Sequence, residues 1–565
     1  MLGQSPGIHA FPFFSPVSRK TWMTGPSPAM TPEDKPMTKP RVLISDALSP
    51  AAVQIFKDRG IDVTFDASLG KDKDKLAAVI GDYDGLAIRS ASKATAKLLE
   101  SAKNLKVIGR AGIGVDNVDI PAATARGIIV MNTPFGNSIT TAEHAIALMF
   151  ALARQIPAAD VSTQAGKWEK NRFMGVELEA KTLGLIGAGN IGSIVARKAI
   201  GIGMKVIAYD PYLTPERAVS IGVEKVELDT LLARADFITL HVPMTEQTRN
   251  LLSREALAKT KKGVRIINCA RGGLVDEQAL ADAIKAGHVA GAAFDVFSEE
   301  PAETNPLFGL DNVICTPHLG ASTSEAQENV ALQVAEQMSD YLLTGAITNA
   351  VNFPSISAED APKLKPLVSL GEKLGAFLGQ LTEAHIKGIR IAYEGKVGEL
   401  NTRPITAAAV AGVLRPFMPG INMVNAQAIA KDKGIAVEAI TRDAPENLES
   451  RVKIYVDAED MTRHAAGTVL SDGLPRIVEI RDIKMDAEFG PHMLYVRNDD
   501  KPGFIGRFGS LLGEKGINIA TFNLGRNAQG GDAICFVAVD EAISDEVLAA
   551  INAIPHVKRA RRLTF

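Results

Sequence analysis

A chain of 565 residues is too long for one hydrophobic core, and usual domain sizes imply roughly three to four domains. With 46% hydrophobic residues, 22% charged residues and a net charge of −3, its composition is that of a globular protein. It lacks the basic excess with which proteins bind nucleic acid or an anionic membrane surface. No apolar run approaches the roughly 18 residues that a membrane-spanning helix needs. We therefore expect neither nucleic acid nor a membrane as a partner.

The three cysteines are too few and too far apart to form a metal site or a disulfide framework. This usage is typical of a reducing compartment, so we expect a cytoplasmic protein without a metal.

Residues 1–37 differ in composition from the rest of the chain. A targeting peptide is one interpretation, but the first 32 residues contain only two basic residues, Arg19 and Lys20, and many prolines. We favour a disordered leader, or an over-long start with the true initiation at Met30 or Met37.

From residue 41 onward, short apolar runs alternate with helix-like stretches, which is typical of a parallel sheet. The first strands are predicted at Val42–Ile44, Gly85–Ile88 and Val107–Ile108. The largely apolar segment Thr141–Gln155 predicts a buried helix that crosses between two domains.

A second series of strands begins near residue 182 and predicts a doubly wound sheet. The predicted strands are Leu183–Ile186, Val206–Tyr209, Phe237–Val242, Val264–Cys269, Ala290–Asp295 and Val313–Thr316. A long helix follows, with Ser322 and Glu325 as a capping box and Gly345 as its end. We expect this helix to pack back against the first domain, which makes that domain discontinuous.

The fold class is therefore α/β. A Rossmann-type cofactor domain is inserted in a discontinuous substrate-binding domain, and both have doubly wound parallel sheets. An α+β intervening domain and a βαββαβ module follow. The predicted boundaries are 38–138 with 319–352 for the substrate-binding domain, 139–318 for the cofactor domain, 353–489 for the intervening domain and 490–565 for the module.

The segment Leu185–Gly192 is a nucleotide-binding pattern in the required context. Gly187, Gly189 and Gly192 follow an apolar strand and open a helix, and Asp210 lies 18 positions further on at the end of the next strand. Asp210 can accept hydrogen bonds from ribose hydroxyls and would repel a 2′-phosphate, so NAD is favoured over NADP. The alternative is a plain strand–helix turn.

Arg271, Asp295, Glu300 and His318 each follow a predicted strand of the same sheet, at the edge where ligands bind in this fold. An arginine offers a planar fork to a carboxylate, and Glu300 can fix the tautomer of a histidine base. The alternatives are a surface salt bridge for Arg271, a helix cap for Asp295 and a structural role for His318.

The segments Asn268–Asp276, Ala293–Phe297 with Glu299–Pro301, and Thr316–His318 resemble those of the D-isomer-specific 2-hydroxyacid dehydrogenases. The resemblance implies that Arg271 and His318, with Glu300, form the catalytic set. It places these residues at the NAD cofactor: Gly187, Gly189, Asn190, Ile191, Gly192, Asp210, Pro243, Cys269 and Asp295. The family's usual basic residue after the second glycine is Asn190 here, which removes one expected phosphate contact.

The N-terminal half resembles the branch of this family that acts on 3-phosphoglycerate, through Tyr83–Ser92, Gly109–Asp119, Asn132–Ser138 and Gly166–Glu169. The resemblance implies substrate contacts from Arg89, Ser90, Arg110 and Asn137, and from Lys170 to a neighbouring subunit's phosphate. A phosphorylated dianion needs more than one cation, and two arginines supply them. The alternative is that both arginines are structural.

Residues 490–565 resemble an ACT regulatory domain, a module that pairs across subunits and binds amino acids at the seam. Asp500 and Asn518 match its ligand-binding positions, and Asn498 stands where serine-sensitive relatives have His or Tyr. The resemblance implies L-serine as a possible effector bound at Asn498, Asp500 and Asn518, and a homodimer or homotetramer. Residues 353–489 resemble an intervening domain with a proposed second anion site, but no motif there names the residues.

We therefore expect NAD-dependent oxidation of 3-phosphoglycerate to 3-phosphohydroxypyruvate, the first step of L-serine biosynthesis, with His318 as general base. One rival is another D-2-hydroxyacid dehydrogenase, such as a glyoxylate or hydroxypyruvate reductase. The other is an NAD-sensing interaction protein on the same fold.

Overall fold

The computed structural model describes residues 39–357, 359–444 and 448–565, and within these ranges the chain forms four β-sheets. The leader predicted for residues 1–37 lies outside the described residues. Within the described ranges no single helix is long and apolar enough to cross a membrane; the bent pair Ser138–Arg154 and Ile156–Gln164 passes that test only when the two helices are taken together.

The first sheet is parallel throughout. Its strands are β1 (Arg41–Ile44), β2 (Asp62–Phe65), β3 (Gly85–Ile88), β4 (Val107–Arg110) and β5 (Ile129–Asn132), and its helices are α1 (Pro50–Asp58), α2 (Lys73–Val79), α3 (Ala96–Ser101) and α4 (Ile120–Ala125). The strand order is β2-β1-β3-β4-β5. The apolar runs of β1, β3 and β4 form strands as predicted, because helices cover both faces of the sheet. The edge strand β2 and the strand β5 were not predicted.

The second sheet follows two connecting helices, α5 (Ser138–Arg154) and α6 (Ile156–Gln164). Its strands are β6 (Thr182–Ile186), β7 (Lys205–Tyr209), β8 (Glu224–Lys225), β9 (Phe237–Leu240), β10 (Val264–Asn268), β11 (Val289–Phe294) and β12 (Val313–Cys315), and its helices are α7 (Asn190–Gly201), α8 (Pro215–Ile221), α9 (Leu228–Arg234), α10 (Arg254–Ala258) and α11 (Glu277–Lys285). The order is β12-β11-β10-β9-β6-β7-β8, so the winding direction reverses between β6 and β9. Ligands bind at the carboxyl edge beside such a reversal.

Helix α12 (Ser324–Thr344) packs against the first sheet and α1, although it follows the second sheet in the chain. Met338 lies against Gly85 and Gly109, where an added Cβ would crowd its side chain. These glycines therefore allow the helix to approach strands β3 and β4 closely.

The ends of α12 differ in how well they were predicted. The N-cap is Thr323, whose hydroxyl accepts a hydrogen bond from the Ala326 N–H at 3.2 Å. The capping box predicted at Ser322 is wrong, because the Ser322 N–H donates to the Leu319 carbonyl in a turn that delays the helix by one residue. The helix ends before Gly345 as predicted, with a φ of 81° at that glycine.

The segment after α12 completes the edge of the first sheet. Ala350 forms an antiparallel bridge with Met131, and the Val351 N–H donates to the Val130 carbonyl at 2.8 Å. The Asn352 side chain accepts from the Val130 N–H at 2.9 Å across 222 positions of sequence.

The third sheet is mixed, with β13 and β14 parallel and the other neighbours antiparallel. Its elements are α13 (Ala361–Leu381), β13 (Ile386–Gly395), α14 (Arg403–Leu414), α15 (Ala426–Asp432), β14 (Ala436–Arg442), β15 (Ser450–Ala458), β16 (Thr462–Val469), β17 (Pro475–Ile480) and β18 (Ile483–Glu488). Helices α13 and α14 pack closely, since a Cβ at Gly375 or Gly379 would overlap the backbone of α14.

The fourth sheet is antiparallel with the order β20-β21-β19-β22, in the predicted βαββαβ sequence. Its elements are β19 (His492–Asp499), α16 (Phe504–Glu514), β20 (Ile519–Arg526), β21 (Asp532–Val539), α17 (Asp545–Asn552) and β22 (Val557–Thr564). Helices α16 and α17 cover one face. The other face meets α13, where the Phe377 ring stands edge-on to Tyr495 and Phe536 at centroid distances of 5.8 and 5.6 Å. The predicted fold class is confirmed.

Candidate active site

The glycine-rich turn joins β6 to α7 at the edge where the strand order reverses. Gly187 has a φ of 93°, in the left-handed region that favours glycine. A Cβ at Gly192 would overlap the Gly187 carbonyl, so this glycine lets α7 pack close to the turn. A Cβ at Gly189 would meet nothing within 4 Å, so the backbone there is open to an approaching pyrophosphate. The turn fits the diphosphate of NAD.

Two further predicted cofactor residues flank this turn. Asn190, the first residue of α7, donates its side-chain amide to the Pro134 carbonyl at 3.4 Å and so joins the turn to the loop after β5. Ile191 packs against the core of the second sheet. The segment His241–Pro243 lies beside the turn, because a Cβ at Gly187 would crowd the His241 carbonyl oxygen.

Asp210 follows β7 and closes the same turn. One carboxylate oxygen accepts from the Ala188 N–H at 2.9 Å and the other from the Tyr212 N–H at 2.8 Å. Each ionised oxygen retains a further lone pair. The backbone thus fixes Asp210 beside the turn in an orientation that leaves acceptor capacity for ribose hydroxyls.

His318 and Glu300 form the predicted pair. The His318 Nδ1 lies 2.7 Å from one Glu300 oxygen, and the other oxygen accepts from the Phe297 N–H at 3.0 Å. Burial opposes ionisation of Glu300, but the hydrogen bonds from His318 and Phe297 and the charge of Arg271 outweigh it and lower the Glu300 pKa. An ionised Glu300 holds Nδ1 protonated and leaves Nε2 free to accept a proton.

His318 has a φ of 56°, an uncommon conformation for a residue with a side chain, which costs on the order of 1–3 kcal/mol. Asp295, fully buried directly after β11, holds this conformation from behind. Its carboxylate accepts from the Leu319 N–H at 2.7 Å and the Gly320 N–H at 2.8 Å, and the His318 N–H donates to the Asp295 carbonyl at 2.9 Å. Both oxygens of the Asp295 carboxylate therefore bind the backbone of the loop that carries His318.

Arg271 follows β10 and reaches across to the first sheet's side of the cleft. Its Nε lies 3.1 Å from an Asp116 oxygen, and a Cβ at Gly114 would overlap its guanidinium. Cys269, two residues earlier, is 5% exposed, and burial raises the pKa of its thiol far above the ordinary value. The Cys269 thiol is therefore neutral, and its predicted contact with the cofactor stays a prediction.

A cavity of about 620 Å³ brings four of the predicted substrate residues together with Glu300 and His318, whereas Arg271 is not among its lining residues. Arg89, Arg110 and Asn137 line it along with Glu300 and His318, and Ser90 lies at its rim. These residues come from both sheets, at the carboxyl ends of their strands.

The cavity is strongly electropositive. Burial, helped by repulsion from Arg271 and Arg89, lowers the pKa of Arg110 to about 10. Burial also lowers the Arg89 pKa, although Asp46 partly offsets it. The Arg110 Nε and the Asn137 Oδ1 are buried without a hydrogen-bond partner among the described residues. Such atoms cost about 1–3 kcal/mol each, which a bound anion with a hydroxyl group would recover.

Lys170 is exposed and does not line the cavity of its own chain. Its predicted contact with a neighbouring subunit's substrate therefore stays a prediction.

The structure does not bring the three predicted effector residues together. Asn498 is 2% exposed and donates to the Asp499 carbonyl at 2.8 Å, so its side chain does not reach the surface. Asp500 follows β19 and lies beside the start of β21, where its carboxylate accepts from the Arg526 guanidinium at 2.7 Å. Asn518 donates to Asp540 at 2.7 Å, at the other end of β21. At about 3.3 Å per residue, roughly 20 Å or more separates Asp500 from Asn518 within one chain.

Four residues near the sites were missed, and one of them, His144, lies 3.2 Å from the Asp295 carboxylate. Asp46 accepts from the Arg89 N–H at 2.6 Å and supports that arginine's loop. Asp116 pairs with Arg271. His241 is buried beside the glycine turn, and burial lowers its pKa to about 4. Asp46 carried a usable signal, because it follows strand β1 at the carboxyl edge.

A glycine turn closed by an aspartate, with a histidine–glutamate pair in an arginine-lined cleft, is the arrangement of an NAD-dependent dehydrogenase of small hydroxy acids. Family models agree along the chain. Residues 146–320 match the NAD-binding domain of D-isomer-specific 2-hydroxyacid dehydrogenases, residues 363–481 match the intervening domain of D-3-phosphoglycerate dehydrogenase, and residues 492–556 match the ACT domain.

The D-3-phosphoglycerate dehydrogenase of Synechocystis is 42% identical over 95% of this chain and 97% of its own length. That of Archaeoglobus fulgidus is 42% identical over 90% of this chain and 97% of its own length. The crystal structure of a glyoxylate reductase from a Paecilomyces species has a TM-score of 0.51 at 29% identity, and it covers 56% of this chain and 99% of its own. The chain belongs to the D-3-phosphoglycerate dehydrogenase family. It is an oxidoreductase that uses NAD.

Proposed function

We propose that this enzyme oxidises D-3-phosphoglycerate at C2 to 3-phosphohydroxypyruvate, the first step of L-serine biosynthesis, with the residues of the described cavity. The observation that carries the proposal is the convergence of Arg89 and Arg110 on the His318–Glu300 pair in one cavity. Cations for a multiply charged substrate and a base for its hydroxyl thus share one site.

The substrate's anionic groups are held by the arginines of both domains. Arg89 and Arg110 face the cavity, and no carboxylate of residues 39–357, 359–444 or 448–565 lies within hydrogen-bonding distance of Arg110. The Arg271 guanidinium is held by Asp116. A substrate carboxylate near the 112–114 backbone would compete with Asp116 for this guanidinium. Asn137, with its unpaired oxygen, accepts from a substrate hydroxyl, and Ser90 adds a contact at the rim.

His318 is the general base. Its Nε2 accepts the C2 hydroxyl proton, while Glu300 holds Nδ1–H and stabilises the imidazolium that forms. Arg271 stabilises the negative charge that develops on the C2 oxygen. NAD, when bound, accepts the hydride from C2. Gly187, Gly189 and Gly192 with Ile191 would hold its diphosphate, and Asp210 would accept hydrogen bonds from its ribose hydroxyls. Pro243 and Cys269 would lie along the rest of its path, and the buried Asp295 would act from behind the loop that carries His318.

We also propose a homodimer or homotetramer in which ACT modules pair and bind L-serine at the seam. Since Asp500 and Asn518 lie at opposite ends of β21, one amino acid can meet both only when they come from two modules. The same assembly would let Lys170 reach the phosphate of a neighbouring subunit's substrate.

A substrate panel tests the function. With NAD, we expect the kcat/KM of D-3-phosphoglycerate to exceed those of D-glycerate and D-lactate. With NADH, we expect that of 3-phosphohydroxypyruvate to exceed those of glyoxylate and hydroxypyruvate. A preference for glyoxylate or hydroxypyruvate would favour a reductase of that type, and NAD binding without turnover would favour an interaction protein.

Two variants sharpen the panel. Arg89→Gln and Arg110→Gln should raise the KM for D-3-phosphoglycerate more than that for D-glycerate, because charge-assisted bonds to the phosphate are lost. Arg126→Gln, an exposed arginine at the end of α4, is the control and should leave both values unchanged.

A further inference from the structure

The loop that carries His318 is held from behind by a cluster of groups around the Asp295 carboxylate. The Asp295 carboxylate accepts from the Thr316 hydroxyl at 2.6 Å, in addition to the Leu319 and Gly320 N–H groups. Asp295 is 0% exposed, and these bonds, with the nearby His144, outweigh burial and lower its pKa. The loop conformation at His318 therefore depends on where this carboxylate is held.

His144, on helix α5, touches this cluster. Its Nε2 lies 3.2 Å from the Asp295 Oδ1 and 3.3 Å from the Thr316 Oγ1. The Thr316 hydroxyl already donates to Asp295, so it can accept from His144. In its Nε2–H tautomer, His144 can therefore donate to the Thr316 hydroxyl with its nitrogen 3.2 Å from the Asp295 Oδ1. Among the described residues, the hydrogen bonds to the Asp295 carboxylate come from the 295–320 segment, and His144 is the side chain outside that segment whose nitrogen lies within ion-pair distance of it.

We infer that His144 is a positioning residue for the base, acting through Asp295 on His318. The inference rests on the proposed function for the identity of the base. His144 does not line the substrate cavity. Its role is to hold the carboxylate that fixes the left-handed backbone at His318, so that the imidazole stays on Glu300.

Helix α5 gives this contact a second consequence. The helix begins after Asn137, which lines the cavity and carries an unpaired oxygen. One turn later the Thr141 hydroxyl lies 2.9 Å from the Gly320 carbonyl, and another turn on comes His144. The helix thus ties a substrate contact at its start to both ends of the base loop, so the distance between Asn137 and His318 is set by one rigid element.

A simpler reading is that His144 only fills space in a largely apolar helix. Its side chain is 19% exposed, and leucine would fill most of the same volume. The two readings differ in one respect. Leucine removes the hydrogen-bond donor, whereas glutamine keeps an N–H donor at similar reach.

The experiment compares His144→Leu with His144→Gln in the full-length enzyme. For His144→Leu we expect kcat with D-3-phosphoglycerate and NAD to fall about 10-fold, equivalent to about 1.4 kcal/mol, with the KM for NAD changed less than 2-fold. Hydrogen exchange of residues 316–322 in the enzyme without substrate should accelerate about 10-fold. His144→Gln should restore most of both.

His288→Leu is the matched control. His288 is also partly buried in the second sheet's domain, and its Nε2 lies 3.0 Å from the Thr260 hydroxyl, but it does not contact the 316–322 loop. It should leave kcat and the exchange of that loop unchanged.

Equal losses in the leucine and glutamine variants would overturn the inference, and so would a leucine variant with normal kcat and normal exchange. The exchange measurement needs no substrate. If the wild type did not oxidise D-3-phosphoglycerate but the loop still responded to His144→Leu, the proposed function would fail while the positioning role survived.

Discussion

The catalytic cleft and the ACT module assemble their predicted residues in opposite ways. In the cleft, Arg89, Arg110 and His318 come from two parallel sheets, whose strand carboxyl ends face one cavity. In the module, α16 carries the chain back to the starting edge, so Asp500 after β19 and Asn518 before β20 lie at opposite ends. Parallel topology gathers the loops that follow its strands in one place. A module with an antiparallel sheet separates such residues unless a second copy supplies the missing end.

The first prediction tests whether one chain's cleft is sufficient for chemistry. His318→Ala should lower kcat about 10²–10⁴-fold, because proton transfer by a placed base is lost. Calorimetric titration should show that NAD still binds. His385→Ala, an exposed histidine in the third domain, should behave as the wild type. Near-normal turnover of His318→Ala would remove His318 from the mechanism.

The second prediction concerns the cofactor half of the cleft. Asp210→Ala should raise the KM for NAD about 10–100-fold, the loss expected for a hydrogen bond to a charged group. It should also relax the exclusion of NADP. Asp229→Ala removes an exposed aspartate that pairs with Lys259 in the same domain, and it should change neither value. A wild type that prefers NADP would contradict the role of Asp210.

The third prediction tests whether the module needs a second copy. L-serine should inhibit the enzyme by weakening substrate or cofactor affinity about 5–150-fold, the usual range of coupling between sites. Asp500→Ala should abolish inhibition with basal activity intact, whereas Asp545→Ala, an exposed aspartate of the same module, should not.

Dilution until the subunits dissociate should remove serine binding as well, which calorimetry and sedimentation can follow together. Serine binding that persists in monomers would contradict the pairing. No heat and no inhibition at millimolar serine would mean that the buried Asn498 marks a lost or altered effector site.

The smallest expected effect is on stability. The Glu300 pKa is lower in the folded enzyme than its ordinary value of 4.5. Its ionised form therefore stabilises the fold fully above about pH 4.5, and this contribution is lost as pH falls through the lowered pKa. In urea unfolding at pH 7, the free energy of unfolding of the wild type should exceed that of Glu300→Gln by less than about 1 kcal/mol, since the His318–Glu300 pair is half-exposed. The difference should shrink below pH 4.5; a constant difference from pH 7 to pH 4 would contradict this account.

The sequence predicts most strands of both parallel sheets, because a strand buried on two faces must be a continuous apolar run. Strand β2 was missed because its residues are largely exposed at the sheet edge, and β8 because it has only two residues. Strand β5 was missed although its first three residues are buried. The helix cap at Thr323 escaped because a turn after Leu319 uses the Ser322 backbone, and no local pattern reports that turn.

The site residues also fall into some that the sequence predicts and some that it does not. Glu300 and His318 were predicted because they follow strands that end at one edge, and because the segments Glu299–Pro301 and Thr316–His318 each match a family motif. His144 was missed, since a single histidine in an apolar helix looks like core until the loop that it touches is known. The separation of Asp500 from Asn518 depends on the return path of α16, which spacing in the sequence does not encode.

The segment that completes the first sheet has a consequence for biosynthesis. The hydrogen bond between the Val130 N–H and the Asn352 side chain joins residues 222 positions apart. At a translation rate of about 5–20 residues per second, Asn352 is synthesised roughly 10–40 s after Val130. During that interval the face that α12 will cover is apolar and bare. The inserted sheet emerges in between with its own core, so the guest domain can finish folding before its host. A nascent chain of this kind needs protection at its N-terminal end for longest, although that end leaves the ribosome first.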